Sequence, residues 1–345
     1  MEIRNRQWIL KRRPKGLLRR DDLLLRRGAE QERPLADGEI RIRNLAFHHA
    51  PTMRNWMSGD ESGLHRTIAL GSPVTALAAG RVVESRASAY PVGARVTAMS
   101  KWSEYDIVDV RGWAPTPISP GTTAIEAMGI LGINSLTAYF GLLRIGEPRS
   151  GETLVVSGAA GATGSVAAQI GRLQGCRVIG IAGGENKCNW LRNACGVDAT
   201  IDYKSEDVGS ALDRLCPEGI DIFYDNIGGA ILQAGVDHMA RHGRIVLCGQ
   251  ISGYNEEGPV AAFTDMMRLI YGSIRMQGFL FTDYAPEIPA AMEQLVGWIR
   301  SGAIVTRQDV REGFENLPSS FNALFDGTNE GVLVAMIDQD ATSVD

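Results

Sequence analysis

Thr153–Gln174 reads TLVVSGAAGATGSVAAQIGRLQ, and the fold follows from it. Leu154, Val155 and Val156 form a short apolar run, the pattern of a buried strand. Gly158, Gly161 and Gly164 follow at a spacing of three. Val166, Ala167, Ile170 and Leu173 then share one face of a helical pattern. Strand, glycine turn and helix is the layout in which backbone N–H groups and a helix N-terminus hold a pyrophosphate. Glycine suits it because a side chain would block the turn or the phosphate. The spacing is not the usual G-x-G-x-x-G, since Ala159 stands where a middle glycine would be. Alone, the triplet also fits a tight strand-to-helix turn with no ligand.

The next segment favours the ligand. A second strand, Arg177–Ile181, follows at the right distance and ends in Ala182-Gly183-Gly184-Glu185-Asn186-Lys187. An adenosine ribose would sit at that end. A free 2'-hydroxyl calls for a carboxylate there, and a 2'-phosphate for a cation with small neighbours. Glu185 offers the first. Gly183, Gly184 and Lys187 offer the second, with Lys187 acting as a point charge. The reading favours NADPH over NADH.

Outward from this unit, 345 residues allow two domains and a sizeable core. With 44% hydrophobic and 22% charged residues and a net charge of −5, the composition is that of a soluble globular protein. The mild acidity gives no electrostatic reason to expect nucleic acid or a membrane surface. No apolar run is expected to be long enough to span a bilayer. The five cysteines fall between Cys176 and Cys248 without repeated spacing. They read as reduced, buried thiols of a cytoplasmic protein. Met1–Arg27 carries ten Lys or Arg against three acids. It reads as a solvated face rather than a transit peptide, because Gln7-Trp8-Ile9-Leu10 already looks like a strand and Asp21 and Asp22 interrupt the basic run.

Residues 34–125 read as β-rich, with half-buried strands and turns such as Gly71-Ser72-Pro73, closed by Pro115, Pro117 and Pro120. From 125 onward helices and strands alternate. Ala124–Leu143 is helical in character, and strands are expected near 153–157, 177–182, 199–202, 220–225, 244–248 and 274–280. Ser205–Leu215 and Gly229–Ala240 read as helices. This alternation predicts an α/β fold with a doubly wound parallel sheet. A helix over Pro286–Ser301 ends it, and the tail holds a helix, Asn316–Asp326, and a strand, Val332–Ile337.

Several stretches together carry a family resemblance: Met53-Arg54-Asn55-Trp56, Gly129-Ile130-Leu131-Gly132, the glycine turn, Gly183-Gly184-Glu185-Asn186-Lys187-Cys188, Gly219–Gly229 and Cys248-Gly249-Gln250-Ile251-Ser252-Gly253-Tyr254-Asn255. The chain resembles the medium-chain dehydrogenase/reductase superfamily over nearly its whole length. It is most similar to the zinc-independent leukotriene B4 dehydrogenase/prostaglandin reductase group, with its curcumin reductases and alkenal double-bond reductases. The resemblance implies a Rossmann domain over 125–301 and a GroES-like catalytic domain built from 1–124 and 302–345. It also implies NADPH as cofactor and a homodimer joined through the Rossmann sheets. Carried over, Gly161, Ala162, Thr163 and Gly164 would meet the pyrophosphate, and Gly183, Lys187 and Tyr203 the 2'-phosphate. Asn226, Cys248 and Phe279 would lie by the nicotinamide, and Asn329 would touch the cofactor from the tail.

Zinc-dependent members of the superfamily need a cysteine in the first domain, and here none precedes Cys176. His48 and His49 are adjacent and would point to opposite faces of a strand, a poor chelate; His65 is the third nitrogen donor of this region. The site is therefore read as metal-free. Reduction of a carbon–carbon double bond conjugated to a carbonyl needs no metal. Hydride goes to the β-carbon, and the growing enolate charge needs a hydrogen-bond donor. Tyr254 matches the tyrosine that the family places over the substrate carbonyl, and a tyrosine hydroxyl ordinarily carries its proton at neutral pH.

The chain also departs from the family. Ala50-Pro51-Thr52-Met53-Arg54 has Thr52 in place of a second tyrosine, which leaves the substrate open; Thr52, Met53 and Tyr254 are the expected pocket residues. The tail, Asp326-Gly327-Thr328-Asn329-Glu330-Gly331-Val332, lacks the family's two lysines. The expected function is reduction of α,β-unsaturated aldehydes or ketones with NADPH. The alternatives are a quinone oxidoreductase of the same fold and an NADPH-binding sensor or scaffold with little turnover.

Overall fold

The computed structural model describes residues 5–28, 33–59, 65–256 and 266–344. Residues 1–129, 308–329 and 333–345 form one compact unit, and 130–307 with 330–332 form the other.

The first unit is β-rich. β1 (Asn5–Leu10) and β2 (Leu23–Gly28) pair as an antiparallel ribbon. β3 (Glu39–His48), β4 (Thr75–Ser85), β5 (Arg95–Lys101), β6 (Tyr105–Asp109) and β7 (Thr116–Pro117) build most of a seven-stranded sheet. Trp8, Phe47, Trp102, Phe314 and Phe321 fill its main core.

The second unit holds β8 (Thr153–Val156), β9 (Arg177–Ala182), β10 (Ala199–Asp202), β11 (Ile220–Asp225), β12 (Met239–Leu247) and β13 (Arg275–Gly278). The order across the sheet is β10-β9-β8-β11-β12-β13, and every pairing is parallel. This is the doubly wound order, with its switch point between β8 and β11. Leu154 and Val156 pack into one core cluster and Val155 into another. The run is apolar throughout because both faces of the sheet are covered. The chain then returns to the first unit, where β14 (Gln308–Glu312) and most of β15 (Val332–Met336) complete the seven-stranded sheet.

Several expectations are corrected. The boundaries fall at 129 and 307 rather than 124 and 301, and residues 330–332 rejoin the second unit. The helix Ala124–Met128 is closed by a Thr123–Glu126 capping box and packs on β3 and β4, which draws it into the β-rich unit. At the other crossing Ile304 enters the core of the second unit. Gln169 Nε2 donates to Val305 O, and Val305 N donates to Gln169 Oε1, both at 2.8 Å. Ala124–Gly146 is, by length and composition, apolar enough to cross a membrane, against the sequence expectation; most of it is buried inside the protein, which accounts for its apolarity. The helix expected to reach Ala240 stops at Asp237, and Met239 already pairs with Ile220 in the sheet.

Candidate cofactor site

The glycine turn joins β8 to the helix Ala162–Leu173, whose N-cap is Gly161. Gly158 has φ +57°, and its carbonyl accepts from Gly161 N at 2.9 Å. A Cβ on Gly164 would lie 2.3 Å from Gly158 O, so the first helical turn rests directly on the strand end. Only glycine fits there. Ala159 is fully buried and packs toward Gly180, where an added Cβ would meet the Ala159 methyl at 3.0 Å. The alanine that breaks the usual spacing is thus a packing residue. The first N–H groups of the helix, at Ala162, Thr163 and Gly164, have no acceptor within it. Thr163 Oγ1 donates to Asn134 Oδ1 at 3.5 Å. The turn fits a pyrophosphate: it offers backbone donors, and its floor excludes side chains.

The second turn is open. Gly184 has φ +96°, and no described residue lies within 4 Å of where its Cβ would be. Asp202, ending β10, accepts from Gly184 N at 2.8 Å and Lys204 N at 3.0 Å. The Gly184 N–H, with the other backbone donor, holds its carboxyl below the usual range. That carboxylate is occupied by backbone. Gly183 lies against the Tyr203 ring, 2.7 Å from its Oη to an added Cβ. Tyr203 is exposed and Lys187 half-buried on the first turn of the helix Glu185–Trp190. An exposed ring, a cation and glycine space together suit a 2'-phosphate.

At the switch point a polar network ties β8 to β11. Ser157 Oγ donates to Asp225 Oδ1 at 2.6 Å, and Gly228 N donates to Oδ2 at 2.9 Å. Ile227 N adds a donor at 3.2 Å. Asn226 N donates to Ser157 Oγ at 2.9 Å, and its Nδ2 to Ser157 O at 2.7 Å. Burial raises the Asp225 carboxyl, and these donors oppose the rise. Sequence reasoning named Asn226 but missed Ser157 and Asp225. The signal was an aspartate closing the apolar run Ile222-Phe223-Tyr224.

Cys248 N donates to Asp225 O at 2.8 Å, which sets Cys248 beside Asn226 at neighbouring strand ends. Burial pushes its thiol up to about 12, so it is no thiolate at neutral pH. Phe279 approaches Gly141, where an added Cβ would lie 2.4 Å from the ring and 2.7 Å from Tyr224 Oη. Tyr224 Oη donates to Thr137 O at 3.1 Å. Tyr254 follows the turn Ile251–Gly253, and its Oη accepts from Gln250 N at 3.3 Å. The same Oη is 3.8 Å from where a Cβ on Gly249 would be, and Asn226 O is 3.2 Å from that point. Asn226, Cys248, Phe279 and Tyr254 therefore belong to the strand-end surface from β11 to just beyond β13.

Residues 6–116 match the family described as the N-terminal domain of oxidoreductase, and 162–299 match zinc-binding dehydrogenase. The chain is 34% identical over 342 residues to the NADPH-dependent curcumin reductase of Escherichia coli, covering 97% of each chain. It is 34% identical over 341 residues to the NADP(+)-dependent 2-alkenal reductase of Nicotiana tabacum, covering 98% of this chain and 99% of the relative. It belongs to the zinc-independent medium-chain dehydrogenases/reductases. Within that superfamily, CurA from Vibrio vulnificus in complex with NADPH superposes with a TM-score of 0.89, at 34% identity over 97% of this chain and 99% of that one.

One of the two families that this medium-chain reductase matches is that of zinc-binding dehydrogenases, so its nitrogen donors matter. His48 and His49 are both buried in the first unit. His49 Nε2 is 3.0 Å from Ser320 Oγ, and its ring meets Trp102 and Phe321 edge-on at 5.5 and 5.7 Å. Burial lowers His48 to about 4 and His49 to about 3. His65 Nδ1 lies 3.1 Å from Arg66 O. Among the described residues no three His, Cys, Asp or Glu converge as a metal site. Of the other expected residues in this unit, Thr52 is half-buried, and Met53 is 1% exposed within the aromatic core. Asn329 N donates to Ala323 O at 3.3 Å.

Proposed function

We propose that this protein reduces the carbon–carbon double bond of α,β-unsaturated aldehydes or ketones, with NADPH as the electron source. The observation that carries the reading is the glycine cradle at a sheet switch point, in a chain that aligns end to end with NADPH-dependent double-bond reductases. When bound, NADPH supplies a hydride for the β-carbon of the substrate. The backbone of Gly161, Ala162, Thr163 and Gly164 would hold the pyrophosphate. Gly183, Lys187 and Tyr203 would take the 2'-phosphate. Asn226, Cys248 and Phe279 would flank the nicotinamide, and Asn329 would add a tail contact. The Tyr254 hydroxyl would donate to the carbonyl oxygen as enolate charge grows, where a donor lowers the barrier most. The α-carbon takes a proton to complete the saturated carbonyl. Thr52 is assigned to the substrate side; Met53, expected beside it, is instead packed into the aromatic core.

The same proposal includes a cytoplasmic location and a homodimer. β13 is the outer strand of its sheet, and Ile270, Tyr271 and Leu280 near it are 64, 76 and 66% exposed. A second copy would cover that edge; a monomer mass by light scattering would remove the dimer. The activity test follows NADPH absorbance with a medium-chain 2-alkenal, an aryl enone and a simple quinone. Saturated carbonyl product is expected. Turnover of the quinone alone would replace the reading with quinone reduction, and binding without turnover would leave a sensor. Tyr254→Phe is expected to lower kcat about tenfold or more with cofactor affinity unchanged; unchanged kcat on several enones would end its donor role.

A further inference from the structure

The tail segment that rejoins the second unit has a tight relation to the glycine turn. Gly331 pairs in parallel with Gly161, the N-cap of the helix that follows the turn. Its φ is +76°, and a Cβ there would lie 2.1 Å from Arg307 O. Val332 N donates to the same carbonyl at 2.9 Å. The backbone of Arg307 is thus fastened to the strand segment that touches the cradle. The Arg307 guanidinium pairs with Glu330, one residue before Gly331. Both side chains are partly exposed, at 38 and 43%, and such a pair adds little to stability. More informative is that Glu330 directly precedes Gly331, whose backbone pairs with Gly161 at the anion cradle.

A helix N-terminus carries about half a positive charge, which leaves a pyrophosphate mostly unbalanced. The tail supplies no lysine between Asp326 and Val332. We infer that Arg307 is a phosphate-binding residue of this chain, positioned beside the glycine turn by the Glu330 carboxylate. This rests on the NADPH reading above. Arginine suits the role, since its planar fork serves a carboxylate and a phosphate oxygen with different N–H groups. Glu330 both orients the guanidinium and opposes the anion. It is a positioning residue that limits affinity.

Calorimetric titration of the purified protein with NADPH and with NADH tests this without turnover. The pyrophosphate is common to both nucleotides, so Arg307→Ala should weaken both by the same factor, on the order of tenfold. Arg307→Lys should recover part of the loss. Glu330→Gln keeps an oxygen acceptor and removes the opposing charge, so both nucleotides should bind about two- to threefold more tightly. Binding within twofold of wild type for Arg307→Ala, or a loss confined to NADPH, would overturn the inference. Thermal unfolding accompanies each titration. If Arg307→Ala does not fold, Glu330→Gln decides, and unchanged or weaker binding overturns the role. Wild-type protein that binds neither nucleotide would instead remove the NADPH reading and take this one with it.

Discussion

The two turns at the ends of β8 and β9 are both glycine-rich, yet their glycines answer different demands. At the first, Gly164 is fixed by what it touches, because a Cβ would collide with a backbone oxygen that cannot move aside. At the second, Gly184 is fixed by its own dihedral angle, with no described residue near where a side chain would go. A closed floor brings backbone donors close to an anion that both dinucleotides share. An open turn with a cation nearby leaves room for the group that distinguishes them. The general lesson is that a glycine should be read by its surroundings before its spacing.

Substitutions test that contrast. The largest effect is expected from Gly164→Ala. Forcing the helix off the strand end should cost about 2 kcal/mol or more of stability, and affinity for NADPH and NADH should fall together. Chemical denaturation and titration of both nucleotides check it, and a well-bound variant would break the closed-floor account. Lys187→Ala comes next, with NADPH weakened about tenfold and NADH within twofold; equal losses would move the 2'-phosphate elsewhere. The smallest effect is expected from Gly184→Ala, about 1 kcal/mol of backbone strain with nucleotide affinity little altered. A large loss of NADPH affinity there would mean that the open space is itself filled by the ligand.

Local pattern revealed much of this. The β8 run, the glycine turn and the alternation that builds the sheet are short-range signals, and the expected strands at 177–182, 199–202 and 220–225 match the observed β9, β10 and β11. What stayed hidden depends on distant partners. Ser157 and Asp225 are 68 residues apart in sequence, and nothing local marks them as a pair. Gln169 claims Val305 across 136 residues, which moves a domain boundary that proline and composition cannot mark. Ala124–Gly146 shows the same limit, since an apolar helix looks alike whether lipid or protein covers it. Gly331 and Arg307 meet only because the tail re-enters the second unit.

His48 and His49 also bear on how the protein tolerates acid. Both are held neutral by burial, at about 4 and about 3, against an ordinary 6.5. Well above pH 6.5 neither the folded nor the unfolded chain protonates them, and their contribution is fully present. As the pH falls below 6.5 the unfolded chain takes up these protons while the folded chain refuses them, so stability drains away until the folded values are reached. Each histidine should remove about 2 kcal/mol by pH 5. Denaturation at pH 7 and pH 5 would show that loss, and His49→Phe should remove about half of it. Unfolding in mild acid is then a proton-consuming reaction, and two of those protons are taken up in the β-rich unit, far from the glycine turns in sequence.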